Sequence, residues 1–129
     1  KLVRIERPRV LIVDQLRNLK AKSENTTTRL DAVAQGIRAL GKRYGVATIG
    51  ITQAGDSARG KAILDDGDID SSNTGIPGAA DVLIGMGVTE DLDKAGLRML
   101  SFCKNKVSGR RGHMQVRIDP AISRISSHD

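Results

Sequence analysis

Arg9-Val10-Leu11-Ile12-Val13-Asp14 is an unbroken aliphatic run closed by a carboxylate. Uninterrupted aliphatics of that length fit a strand buried on both faces, as in a parallel α/β sheet. Pro8 stands just before the run, where a strand start loses little from a missing amide hydrogen. Downstream, Leu30, Val33, Ala34, Ile37, Leu40 and Tyr44 recur at three- and four-residue spacing, which predicts a helix with one apolar stripe. Thr28 with Asp31 resembles a capping box in which Asp replaces the usual Glu, and Gly45 lies where a C-terminal cap glycine belongs. The polar stretch from Arg17 to Asn25 reads as the preceding loop. Val46 to Thr52 is a second apolar run, and Gln53 ends it. Strand, helix and strand make a crossover that should be right-handed and leave both strand C-termini on one sheet edge. Asp14 and Gln53 are therefore predicted to stand on that edge, where open α/β sheets bind ligands.

From 54 to 80 the chain has no periodicity and is rich in Gly, Asp and Ser. So long an irregular stretch inside a domain tends to be functional or disordered. Ala80 to Val88 returns to an apolar run. After a turn around Glu90 to Gly96, Leu97 to Lys106 and Gly112 to Asp119 read as two strands, joined by a hairpin at Gly109-Arg110-Arg111-Gly112. A short last strand at Ser123 to Ser126 follows the turn at Asp119-Pro120. There is no internal repeat.

The chain has 129 residues, enough for one domain, and a domain of that size buries roughly two-thirds of the surface of its unfolded chain. Tyr44 and Phe102 are its only aromatics, so the core must come from Val, Ile, Leu, Met and Ala, which suits a parallel sheet better than an aromatic-rich sandwich. The single cysteine, Cys103, excludes an internal disulfide and fits a reducing compartment. No apolar run approaches the ~20 residues that span a bilayer, and Lys1 to Arg9 holds no stretch of signal-peptide type, so the expected place is the cytoplasm, without membrane. The net charge of +6 is unevenly placed: basic residues crowd the segment from Lys1 to Lys22 and Lys104 to Arg111, whereas Asp65-Asp66-Gly67-Asp68-Ile69-Asp70 is acidic.

Four features carry chemistry, each with a plainer reading beside it. Asp14 is either a magnesium-side carboxylate, as in nucleotide hydrolases with an acid at this strand end, or a polar residue where a buried strand surfaces. The amide of Gln53, after Thr52, could bond a terminal phosphate or its attacking water, or simply pair with backbone. In the long loop, Arg59, Lys61, Asn73, Thr74 and Gly75 supply the backbone amides, small polar groups and cations that follow a phosphate chain without reading bases. The acidic stretch between them limits such contact to the two ends of the loop. Lys104 and Lys106 alternate at the end of a strand and so share a face. They could reach a neighbouring subunit's phosphates in trans, or guard an exposed strand edge against aggregation.

The order of these features resembles the DnaB-like hexameric helicases, replicative enzymes with a RecA-type core, from about Arg9 to Ser126. The helix with Gly45-Val46-Ala47-Thr48-Ile49-Gly50-Ile51-Thr52-Gln53 looks like that family's third motif, and Ser72-Asn73-Thr74-Gly75 through Ala80-Asp81 like its fourth. The late glycine turn and Asp-Pro resemble the phage versions. Lys104-Asn105-Lys106 is nearer the RecA recombinases, since the helicases usually carry Arg at the second cationic position.

The resemblance implies an α/β fold: a partial RecA-like core with a parallel sheet extended by C-terminal antiparallel strands. It implies ATP and Mg2+ as cofactors, with Asp14 on the magnesium side and Gln53 as phosphate sensor, and Lys104 and Lys106 acting on the neighbour's nucleotide. The implied partners are single-stranded DNA, identical subunits in a hexameric ring, and a primase or helicase loader. No G-x-x-x-x-G-K-[ST] is present, and the family's catalytic glutamate belongs upstream of Asp14, so residues 1–129 are expected to be the C-terminal portion of one ATPase domain, inactive alone. Two other readings remain: a filament-forming recombinase, and a non-catalytic DNA-binding or assembly module.

Overall fold

The computed structural model describes residues 2–22, 25–71 and 74–128. The chain divides into two compact units, one of residues 1–53 with 69–80 and the other of residues 54–68 with 81–129.

The first unit holds α1 (Leu2–Glu6), β1 (Val10–Asp14), α2 (Thr26–Tyr44), β2 (Ala47–Ile51) and α3 (Gly75–Ala79). β1 and β2 pair in parallel with Asp14 opposite Ile51, as the crossover reading requires. The helix starts earlier than the sequence suggests. Asn25 is its N-cap, accepting from the Thr28 amide at 2.9 Å, so Thr28 lies inside the first turn instead of heading a capping box. Gly45 caps the other end with φ +64, a conformation only glycine adopts cheaply. Leu30, Val33 and Ala34 of α2 are buried with Leu16 and Val46.

The strands are not buried on both faces, as their aliphatic run suggests. One crossover helix covers one face only, and on the other Val10, Ile12, Ile49 and Ile51 are exposed, Ile12 by 62%. Leu16 opens a helical turn, Leu16–Asn18, that runs into the stretch from Arg17 to Asn25 read as a loop, and packs so closely that a Cβ on Gly50 would fall 2.7 Å from its Cδ2.

The second unit is an antiparallel meander of β3 (Val82–Gly87), β4 (Leu97–Asn105), β5 (His113–Asp119) and β6 (Arg124–Ser127), with α4 (Glu90–Lys94) between β3 and β4. The parallel pair and the meander are thus both present, as two hydrogen-bonded sheets. Asp119 accepts from the Ala121 amide at 3.1 Å and closes the Asp-Pro turn. Between β4 and β5, Asn105 organises the hairpin: its Oδ1 accepts from the amides of Val107 and Ser108, both at 3.1 Å, and its Nδ2 donates to Ser108 Oγ and the Arg110 carbonyl.

Glycines alternate in β3 because the loop lies on that face. A Cβ on Gly85 would stand 2.8 Å from Leu64 Cβ and 2.9 Å from Cys103 Sγ. One on Gly87 would overlap the Ala62 carbonyl oxygen and sit 2.6 Å from that of Lys61. The Leu64 carbonyl is in turn held by Ser101 Oγ at 3.2 Å and by the Cys103 thiol at 3.1 Å, both buried.

Candidate functional site

The parallel register fixes where the first candidates stand. Asp14 is the last residue of β1, and Gln53 follows β2 by two positions, so both lie at the C-terminal edge of the pair. Both side chains are exposed. Among the described residues no group of three His, Cys, Asp or Glu is arranged to hold a metal ion. The carboxylate that closes β1 at this edge is that of Asp14. That suits Mg2+, which keeps several waters and takes one or two carboxylates together with phosphate oxygens.

Two residues that sequence reasoning did not single out join this edge. Arg17 Nη2 donates to Asp70 Oδ2 at 2.5 Å, with both side chains about a third exposed. The Asp70 amide donates to the Gln53 carbonyl at 3.1 Å, and Ser71 Oγ donates to Asp70 Oδ1 at 2.8 Å. The Ser71 hydroxyl and the Arg17 guanidinium hold the Asp70 carboxyl below the usual carboxylate range. No periodicity could have exposed a pair 53 positions apart.

Beyond it, Thr74 is exposed, Gly75 opens α3, and Asn73 lies outside the described residues. Gly75 has a packing reason to be glycine, since a Cβ there would overlap the Asp31 carboxylate of α2. Arg38 of α2 donates to the Ala79 carbonyl, and α3 is thereby held at both ends against one helix.

In the second unit the loop is not irregular throughout. Asp56–Ala58 and Asp66–Asp68 are single helical turns, and the Gly55 amide donates to the Asp68 carbonyl at 2.8 Å. Asp68 is 3% exposed, the one buried carboxylate among the described residues. It accepts from Lys61 Nζ at 2.8 Å and from the Asp65 amide at 3.1 Å. The Lys61 hydrogen bond, then the Asp65 amide, hold the Asp68 carboxyl below its ordinary value against the opposing effect of burial, with the Ser57 hydroxyl helping. The same bond raises Lys61. An ammonium so engaged can turn to a phosphate only in competition with Asp68. Arg59 is free of such commitment: it is 87% exposed and reaches Asp56 only at 3.4 Å.

The shifts fix a pH dependence. Asp68 titrates lower in the folded chain, so its contribution is complete above about pH 4 and lost as pH falls through the folded value. Lys61 titrates higher, so its contribution is complete below about pH 10 and lost as pH rises through its folded value. Thermal denaturation between about pH 6 and about pH 2.5 should show a steeper acid loss in the native chain than in Asp68→Asn. Equal slopes would mean that Asp68 does not hold the loop.

Lys104 and Lys106 flank the turn-organising Asn105. Lys104 is half-buried in β4, opposite Leu83, and Lys106 is exposed at the first turn position, its amide donating to the Asp81 carbonyl at 2.8 Å. No described helix is long and apolar enough to cross a membrane.

No protein-family model and no curated protein matches the chain. Solved structures share its fold, two of them as follows. One, described as an ATPase domain, superposes with a TM-score of 0.79 at 14% identity, over 93% of this chain and 44% of that one. The other, a DnaB-like replicative helicase described with its interactions with primase, gives 0.79 at 15% identity, over 93% of this chain and 31% of that one. The chain therefore has the α/β fold found in helicase ATPase domains and spans less than half the length of either neighbour.

Proposed function

We propose that this chain, folded like part of the ATPase domains of replicative helicases, belongs to an ATP-driven motor that moves as a ring along single-stranded DNA. The observation that carries the reading is the placement of Asp14 and Gln53 at one strand edge within that fold. Asp14 would hold Mg2+, in part through water, and Gln53 would bond the terminal phosphate. Bound MgATP supplies the phosphoryl group whose transfer drives movement. The chain's own part is positional: Gln53 orients, the hairpin brings Lys106 and Lys104 toward the next subunit's phosphates, and Thr74, Gly75 and Arg59 meet the DNA backbone. Lys61 joins them only by leaving Asp68. A primase is the proposed partner by analogy with the second neighbour, and the cytoplasm the proposed compartment.

The test uses the full-length protein. DNA-stimulated ATP hydrolysis and unwinding of a forked duplex are expected, and Asp14→Asn should remove both while leaving the thermal transition in place. Hydrolysis undiminished in Asp14→Asn would dismiss the nucleotide role of this edge. A recombinase is the second reading, favoured by Lys104-Asn105-Lys106. Electron microscopy with DNA and nucleotide separates the two, rings supporting the helicase and filaments the recombinase.

A further inference from the structure

We infer that Arg17 is a positioning residue: through Asp70 it ties the returning leg of the long loop to the strand edge bearing Asp14 and Gln53, so that DNA held by the loop is felt at the nucleotide. This rests on the motor reading above and adds to it the route between its two ligands.

The route is built from contacts within one unit. Its fixed end is the turn Leu16–Asn18, which begins two residues after Asp14 and is keyed into β2 by the close fit of buried Leu16 on Gly50. Its other end is Asp70, which has two handles. The carboxylate takes Arg17 at 2.5 Å, and the amide takes the carbonyl of Gln53 itself at 3.1 Å. A displacement of Asp70 therefore reaches the backbone of the proposed sensor directly. Four residues beyond Asp70 stands Thr74, and α3 follows, pinned to α2 by the Gly75–Asp31 fit and the Arg38 bond.

The pair is only part-buried, so its contribution to folding is modest, as for exposed ion pairs generally. Its geometry is what matters: a planar guanidinium holds direction as well as distance, which a flexible ammonium would not.

The experiment compares basal and poly-thymidylate-stimulated ATP hydrolysis in the full-length protein. Arg17→Gln is expected to keep its basal rate and thermal midpoint while stimulation by DNA falls about tenfold, within the usual range of coupling between sites. Arg17→Asp and Asp70→Arg should each lose stimulation, and the double exchange should restore it. A merely structural role would lower the midpoint and both rates together, leaving their ratio unchanged, and that result overturns the inference. So does full stimulation in Arg17→Gln, or failure of the exchange to restore what both single variants lose. Absence of DNA stimulation in the native protein would instead overturn the motor reading, and this inference with it.

Discussion

Lys106→Ala in the full-length protein should slow ATP hydrolysis by about a thousandfold, the lower end of the effect of a cation supplied in trans. Lys106 is exposed at the head of the hairpin, and no acidic side chain is bonded to it among the described residues, so its charge is available to an anion outside the chain. The decisive measurement is mixing. Lys106→Ala subunits keep their own Asp14 and Gln53, whereas Asp14→Asn subunits keep Lys106. If the cation acts across the boundary, each supplies what the other lacks, and the mixture should hydrolyse ATP faster than either component. Arg111→Ala, on the same hairpin, controls for loss of charge alone. A mixture no faster than the mean of its components would confine Lys106 to its own subunit or remove it from the chemistry.

Gly87→Ala should destabilise the chain by about 3 kcal/mol, the upper range for overpacking, because the added methyl meets backbone instead of a movable side chain. At this size that lowers the thermal midpoint by roughly 10 °C. The same segment carries Lys61, so the Lys61–Asp68 pair should loosen with it. Gly36→Ala is the contrast: Gly36 is exposed in the middle of α2 with nothing near its missing Cβ, and the substitution should stabilise by about 0.5–1 kcal/mol. Thermal melts of the two variants should move in opposite directions. A Gly87→Ala midpoint equal to that of the native chain would refute the docking of residues 61–64 on β3.

The parts of the fold readable in sequence are those set by local periodicity. The 3.6-residue stripe of α2, the aliphatic runs of β1 and β2 and the glycine hairpin all signal through neighbouring residues, and the edge shared by Asp14 and Gln53 follows from the parallel pairing that a strand, helix and strand imply. The helix start is ambiguous in sequence because Asn25, Thr26, Thr27 and Thr28 can all cap, and only the backbone path selects Asn25. α3 is illegible for the opposite reason: Gly-Ile-Pro-Gly-Ala is a poor helix former, and contacts with α2 impose the helix on it. Arg17–Asp70 and Lys61–Asp68 depend on how the loop folds back, which composition does not encode. The alternating Gly85 and Gly87 are the signal that could have found the docked loop, since glycine on one strand face marks a close backbone neighbour.

Asn105 has a consequence for the cations beside it. A lysine on a slack loop must surrender its wandering each time it meets an anion, and that loss subtracts from whatever the meeting gains. Here one side chain closes the turn through four hydrogen bonds, so the backbone under Lys106 is already still when the chain has folded. Only the lysine's own methylenes remain to be ordered at the encounter. The asparagine between the two lysines thus works as a preset: its four side-chain bonds go to the hairpin, and they decide how sharply the charge beside it can be aimed.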